Sequence, residues 1–394
     1  MSGNFFRKIP TTAVPINIPD ILRSLIVSSE KTSIIKFEKA LSEWLSVEDS
    51  ILVNKGTVAC YLILKALRER HPDRDEVIYP AYTVPTLKLA FDKLGLKTRV
   101  CDISRETFNM DARSLAEELT DKTLAVFPVH MFGFPMNVEE IIKIAGKDVV
   151  VIEDACQAPG ARINNKLVGS FADYSFFSFC KGKNISTFTG GFAALKDAEI
   201  AARVRELRDE LPAPQGGLKL TALLIVFALA MRPGVYGPLF SMIKRFKSEE
   251  VHQHFDSLKF TPVQAELGNL LLEKLEIFNA QRRTNGMFIY EAVKNQSHIL
   301  IPKIIDGAEP VFNHMPVVFL NENDRVRAQK KLWEKGIDSA RMYMYPNHHI
   351  YDLGYPKDAF PDSIIVANGL VTLPAHAYMT MRDLELIVKI VSGN

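Results

Sequence analysis

The chain lacks most features that would commit it to a specialised setting. Its 394 residues carry 48 Lys and Arg against 46 Asp and Glu, and a net charge of +2 gives no reason to expect nucleic acid or an acidic partner. The cysteines Cys60, Cys101, Cys156 and Cys180 show no short paired spacing, which excludes a zinc site or disulfide framework of the usual spacings and suits a reducing cytoplasm. No apolar run stands behind the charges of Arg7-Lys8, so no secretory signal is expected. Neither Gly-x-Gly-x-x-Gly nor Gly-x-x-x-x-Gly-Lys-Ser/Thr occurs, which argues against NAD or ATP as the main cofactor. Internal repeats and low-complexity tracts are absent as well. What remains is ordinary globular composition, in a chain long enough for more than one domain.

One stretch stands apart. Residues 223–231 are uninterrupted apolar sequence ended by Arg232-Pro233-Gly234, and a second apolar piece, 235–243, leads into Lys244-Arg245-Phe246-Lys247. Each run is short of the roughly 20 residues a spanning helix needs, and Pro233 separates them. Two readings follow for this insertion at about 218–247: a buried or dimer-interface helix, or a hairpin lying in a membrane surface with its basic ends at the headgroups.

Elsewhere the first half alternates as a wound α/β domain does. The pattern predicts a buried helix over 57–70, strands at 77–79, 98–101, 124–129, 149–152 and 175–179, and helices at 86–94 and 138–145. Pro10, Pro15 and Pro19 predict an extended arm before the first helix. A long helix is expected from Thr261 towards Tyr290, then a strand at 317–320 and helices at 324–334 and 381–391. The fold class expected is α/β, a large domain over 12–285 with a mainly parallel sheet and a smaller α+β domain over 286–394. Ligands of such sheets sit beyond the carboxyl ends of the strands. Tyr82-Thr83, His130, Asp154 and the loop 178–183 all fall there.

Asp154 closes the apolar run 149–153, and Lys183 follows a second run, 174–179, shortly before Thr189-Gly190-Gly191. A carboxylate after one buried strand, an amine after the next and small residues around both suit an anionic, aromatic, carbonyl-bearing cofactor. Pyridoxal phosphate has that description. Asp154 would hold a proton on the pyridine nitrogen through a charge-assisted hydrogen bond; an Asp capping a helix after a strand is the plainer alternative. Lys183 would supply the amine, with Lys181 as competitor and a solvated surface lysine as the alternative for either. Ser178 and the backbone N–H groups of Gly56-Thr57-Val58, at the start of a helix, suit a phosphate, although ordinary caps look the same.

The strings Gly56-Thr57, Pro80-Ala81-Tyr82-Thr83, Pro128-Val129-His130-Met131-Phe132-Gly133, Glu153-Asp154-Ala155-Cys156-Gln157-Ala158 and Ser178-Phe179 with Lys183-Asn184-Ile185-Ser186-Thr187 closely resemble the DegT/DnrJ/EryC1/StrS sugar aminotransferases, which are fold-type-I pyridoxal phosphate enzymes. The resemblance runs from Phe37-Glu38 to Leu373-Pro374-Ala375-His376. It implies that Asp154 pairs with the pyridine nitrogen, Gln157 lies on the ring-hydroxyl side, Ser178 binds phosphate, and Lys183 bonds the cofactor's aldehyde. Lys181 falls at a position where the family has no lysine. Relatives that dehydrate sugars carry histidine at the position of Lys183, so a transaminase is implied, with glutamate as amino donor, a keto-sugar as acceptor and a homodimer as the assembly.

The chain departs from the family at three places. Val84 stands where an aromatic usually lies on the pyridine face, and Val covers a ring without stacking on it. Phe188-Thr189-Gly190-Gly191 replaces Gly-Glu-Gly-Gly. Ser257-Leu258-Lys259 replaces Asn-x-Arg, whose Asn reaches the phosphate of the neighbouring subunit; Ser donates over a shorter reach. These departures bear on the usual nucleotide-sugar substrate, and the carrier is expected to be a nucleotide or, given 223–243, a lipid. They also motivate a cofactor-binding protein without turnover, acting in regulation or scaffolding at a membrane, and a same-fold enzyme of different reaction. His130 and His376 match family positions and, with His348 and His349, are candidates to face the substrate, or else hydrogen-bonded structural histidines. No metal is expected. The location expected is cytoplasmic, with peripheral contact at the membrane's inner face through 218–247.

Overall fold

The computed structural model describes residues 7–29, 32–214, 217–246 and 256–393, the side chains of 240–246 excepted. Residues 1–6, Lys247 at the end of the apolar insertion and Asn394 lie outside the described residues. The main sheet has seven strands in the order β1 (Asp49–Val53), β9 (Gly191–Leu195), β8 (Tyr174–Ser178), β5 (Val150–Asp154), β4 (Thr123–Val126), β2 (Glu76–Pro80) and β3 (Lys97–Cys101). Pairing is parallel from β8 through β5, β4 and β2 to β3, and β9 runs antiparallel to both its neighbours. The period of two sorts the side chains: Ile51, Val53, Phe176 and Ala193 enter the core on one face, Leu52, Phe177, Phe192 and Ala194 that on the other. Helices α1 (Ile18–Val27), α2 (Thr32–Leu45), α3 (Gly56–Arg70), α4 (Leu87–Lys93), α5 (Ala112–Glu118), α6 (Val138–Ala145) and α7 (Ala198–Asp209) cover the two faces. α3, apolar almost all round, is buried against β8, β9 and α7.

Three expectations shift. Pro19 lies inside the first turn of α1, where proline loses nothing because its N–H would be unpaired, so the extended arm ends before it. The strand expected over 124–129 stops at Val126: Pro128 has no N–H to donate, and its carbonyl accepts from Asp154 N at 2.9 Å instead. The strand expected to end at Ile152 runs on through Asp154.

Two helices, α8 (Gly217–Ala230) and α9 (Pro233–Phe246), contain the apolar insertion and meet at a bend of 96°. Then α10 (Pro262–Val293) runs unbroken for 32 residues, opened by Thr261, whose side chain accepts the Gln264 N–H. The domain boundary expected at 285 falls inside this helix, which packs on α1 and α2 and also on α14 and β12. A second, antiparallel sheet, β10 (Ile299–Leu300), β12 (Met315–Phe319) and β13 (Leu370–Leu373), lies with α11 (Glu322–Glu334), α13 (Pro361–Gly369) and α14 (Met381–Val391). The short α12 (Asn347–Ile350) packs below the Pro80–Thr83 turn, the Asn347 N–H donating to Ala81 O at 2.7 Å. Strands β6 (Arg162–Ile163), β7 (Lys166–Leu167) and β11 (Ala308–Glu309) form a small third sheet.

Candidate active site

The carboxyl ends of β5 and β8, neighbours in the sheet, converge on the start of α3. Two glycines make this close approach possible. A Cβ on Gly56 would lie 3.0–3.1 Å from Phe177 O, Cys156 Sγ and Ser178 Cβ. A Cβ on Gly191 would fall 2.5 Å from both Gly56 N and Phe177 O. Ser178 ends β8 beside Gly56, its Oγ accepting the Cys180 N–H at 3.3 Å. No side chain caps α3: Lys55 stands at its N-cap without a side-chain hydrogen bond. The Val58 N–H, expected among the phosphate donors, instead closes the first turn on Lys55 O at 3.0 Å. That leaves the N–H groups of Gly56 and Thr57, with Ser178, as the groups at this helix terminus that could hold an anion.

Asp154 is buried at the end of β5, and no helix follows for it to cap. Its Oδ1 accepts the Cys156 N–H at 3.0 Å. Burial pushes the carboxyl up, opposed by that hydrogen bond and by the charge of Lys183. A buried carboxyl held in this way gains from a cationic N–H donor. Lys183 is half-buried and close enough for its charge to act on Asp154, whereas Lys181 is exposed, its Nζ 4.6 Å from the Phe188 ring centroid. The two lysines are thereby separated. Gln157 is buried, its Oε1 accepting from Phe132 N at 3.1 Å and its amide resting on the Met131 sulfur, a weak acceptor that leaves the amide free to donate elsewhere.

The other sequence candidates fall into two groups. Val84 packs half-buried on the same apolar cluster as Cys156. Tyr82 is buried with its hydroxyl donating to Met342 O, so its polar atom ties down the neighbouring loop. Ser257 lies against Lys93 of α4, Nζ to Oγ 3.3 Å, on the segment that pairs with Asn54 ahead of α3. The histidines lie outside this group. His130 uses both ring nitrogens, Nδ1 accepting from Met136 N at 3.2 Å and Nε2 on Glu153 at 3.1 Å. Glu153 precedes Asp154 in a strand and therefore points to the opposite face. His376 accepts at Nδ1 from Tyr378 N and donates from Nε2 to Pro10 O at 2.8 Å. His348 packs edge-on against Phe360 at 5.1 Å, and His349 Nε2 pairs with Lys357 O at 2.7 Å.

Sequence reasoning missed what holds the Lys183 loop. Asn313 donates from Nδ2 to Gly182 O at 2.8 Å and to Asn184 Oδ1 at 3.0 Å, gripping the residues on both sides of Lys183. Asn184 donates in turn to Asn279 Oδ1 at 2.8 Å and to Val311 O at 3.1 Å. Behind Asn313 the buried Arg282 spans Phe312 O, Asn313 O and Ala13 O. Burial lowers its guanidinium to about 10. His314, on Asn313 Oδ1 at 3.0 Å, is lowered to about 3 by burial first and then by Arg282, Lys183 and His376. Asn184 stood in a motif string without a role, and Asn279, Arg282 and Asn313 gave no local signal because their partners are distant in sequence. Tyr343 was missed too. It has φ +51, its ring centroid lies 6.1 Å from that of Tyr82, and its phenol is raised by burial and then by Asp154 and Cys156.

These residues fit pyridoxal phosphate: an uncapped helix start for the phosphate, a buried carboxyl wanting a cationic N–H, and an amine beside it. The comparisons agree. A GDP-perosamine synthase from Caulobacter vibrioides is 29% identical over 370 residues, covering 92% of this chain and 90% of that one. A dTDP-3-amino-3,6-dideoxy-alpha-D-galactopyranose transaminase from Aneurinibacillus thermoaerophilus is 29% identical over 359 residues, covering 90% and 88%. Among solved structures, the E. coli GDP-4-keto-6-deoxy-D-mannose-3-dehydratase with bound hydrated pyridoxal phosphate shares the fold with a TM-score of 0.79 at 21% identity, over 98% of this chain and 100% of that one. The pattern of the DegT/DnrJ/EryC1/StrS aminotransferase family matches residues 17–219 and 239–392, passing over 220–238. With nearly its whole length matched outside the α8–α9 bend, the chain belongs to the DegT/DnrJ/EryC1/StrS aminotransferase family.

Proposed function

We propose that the protein is a pyridoxal phosphate-dependent aminotransferase that moves an amino group from glutamate to a keto-sugar carried on a nucleotide or a lipid, in the making of aminosugars for cell-surface polysaccharide or glycolipid. One observation carries the reading: Asp154, buried at the end of β5, and the half-buried Lys183, after β8, come within electrostatic reach of each other where the ends of those strands meet an uncapped helix start. Bound there, the cofactor supplies an electron sink for the carbon that exchanges its amino group. Gly56, Thr57 and Ser178 bind its phosphate. Asp154 holds a proton on the ring nitrogen, since a buried carboxylate is stabilised by that N–H as much as the N–H is by it. Gln157 orients the ring from the side of Met131 and Phe132.

Lys183 Nζ is the group placed to take a proton from one carbon and return it to another. The loop around it is pinned by Asn313 and Asn184, so the amine swings from a fixed base. Tyr343 sets an aromatic ring against Tyr82 and within electrostatic reach of Asp154, an aromatic that Val84 cannot supply. We assign the assembly as a homodimer in which Ser257 of one subunit serves the phosphate of the other, in the place of the family's Asn; within its own chain Ser257 lies against Lys93 on the segment beside Asn54.

The test is covalent mapping. Purified protein loaded with pyridoxal phosphate is reduced with borohydride, digested and mapped. An adduct at Lys183, lost in Lys183→Ala, is the expected result; attachment elsewhere, or none, overturns the reading. Loaded protein mixed with glutamate then yields one equivalent of 2-oxoglutarate per site. A protein that binds cofactor without turnover yields none.

A further inference from the structure

We infer that the outer face of the α8–α9 hairpin is a docking surface for an anionic lipid bilayer. The family pattern passes over 220–238, so the hairpin is an addition to the aminotransferase body. Its inner side is fixed to that body. Leu224, Phe227 and Ala228 are buried in the core that also holds Phe37 and Phe179, and Tyr236 donates to Asp338 at 2.6 Å. The other side of α8 is just as apolar, yet Leu218 is 76% and Val226 61% exposed, with Leu223 and Ala222 open between them. Leu22, Ile26 and Val27 of α1, the helix that packs on α8, are exposed as well. A monomer surface rarely leaves so much aliphatic area together without an occupant.

Charge chooses the occupant. From Leu211 to Ser248 the chain has no Asp or Glu but carries Lys219, Arg232, Lys244, Arg245 and Lys247. Lys219 and Arg232, exposed at the two ends of α8, bracket the apolar face. A second copy meeting this face about a twofold axis would set like charges against like. An anionic headgroup layer answers both features, taking the aliphatic face into its acyl boundary and the cations at its surface. Each helix has 14 residues, about 21 Å of rise against a core of roughly 30 Å, so the hairpin lies on the bilayer and does not cross it.

The hairpin also touches the candidate site. Phe227 meets Phe188 edge to face at 5.7 Å, and Phe188 belongs to the loop that carries Lys183. Docking would hold that loop roughly one helix diameter, about 10 Å, from the lipid. A lipid-carried keto-sugar needs such a position, and this consequence rests on the function proposed above.

The experiment is flotation of the full-length, cofactor-loaded protein with vesicles of phosphatidylcholine plus phosphatidylglycerol, and of phosphatidylcholine alone. The wild type is expected to float with the anionic vesicles and to be released by high salt. The doubles Leu218→Asp/Val226→Asp and Lys219→Glu/Arg232→Glu, all at exposed positions, are expected to bind at least about tenfold more weakly. Sedimentation equilibrium of the same samples gives the oligomeric state. No flotation of the wild type, flotation indifferent to both doubles, or a dimer dissociated by Leu218→Asp/Val226→Asp would each overturn the inference. Borohydride mapping of Lys183 on the same preparations reads the catalytic proposal separately.

Discussion

The Lys183 loop and the α8–α9 hairpin touch at Phe188 and Phe227, yet they are held in opposite ways. The loop is fixed by polar side chains: Asn184, Asn279, Asn313 and Arg282 are all buried and all engaged. The hairpin is fixed mainly by an apolar stripe, with the Tyr236 hydroxyl on Asp338 and the Lys8 N–H on Pro233 O at 3.1 Å as its polar ties to the body. Polar networks define geometry because an unpaired buried donor is costly, while apolar contact sets proximity without aim. The catalytic loop needs an aimed amine. The hairpin needs only to be displayed.

Acid should separate the two regions most strongly. His314 and His376, both near Arg282, are each held neutral with values of about 3. Unfolded, they take protons near pH 6.5, so between roughly pH 3 and 6.5 the unfolded chain binds more protons and stability falls as pH drops. From pH 7.5 to pH 5 each histidine withdraws about 2 kcal/mol, roughly 4 kcal/mol together. Denaturant midpoints across that range measure this. His314→Gln with His376→Gln should flatten the profile, and an unchanged slope would mean the two rings are accessible to protons in the folded state.

Next in size is the inner stripe of the hairpin. Leu224 is fully buried, and Leu224→Ala should cost about 3 kcal/mol, the usual range for a buried leucine that leaves a cavity. Thermal unfolding of the full chain checks it. A loss below about 1 kcal/mol would mean that the hairpin detaches readily from the body.

The comparison also shows what sequence can and cannot reveal. Strand positions were legible, because the apolar runs ahead of Asp154 and around Ser178 announce where a parallel sheet opens to ligand, while the exact ends moved by one to three residues. β1 and β9 were not: Gly191–Leu195 is a short, small-residue strand that carries little β signal, and Asp49–Val53 sits directly between two helices. The two helices of the insertion were legible as apolar runs split by Pro233. Which face each would bury was not, since a helix apolar all round gives no stripe to read. The supports of Lys183 were hidden for another reason. Asn313 lies 131 residues from Gly182, and no local pattern marks an asparagine whose partners are so distant.

Asn313→Ala tests that support. It removes donors to Gly182 O and Asn184 Oδ1 and should cost about 2 kcal/mol, within the range for unsatisfied buried polar groups. A structural effect alone would lower stability and leave the lysine's environment intact. A positioning effect would also shift the pH at which the visible band of the loaded protein titrates, and that shift is expected. Absorbance titration of Asn313→Ala and of the conservative Asn313→Asp separates the two, and a wild-type titration in both variants would reduce Asn313 to a packing residue.

The smallest effect is predicted two residues from the large one on α8. Val226 is 61% exposed whereas Leu224 is fully buried, although neither differs from its surroundings in sequence. Val226→Asp should change folding stability by less than about 0.5 kcal/mol, the usual range for an exposed position. Leu224→Asp buries a charge without a partner and should prevent folding. Both helix faces carry aliphatic side chains, so the contrast isolates which face the body occupies. A large loss from Val226→Asp would show that the outer face is covered within the folded protein or its assembly. A tolerated Leu224→Asp would show that the hairpin is not seated on the Phe188 loop at all.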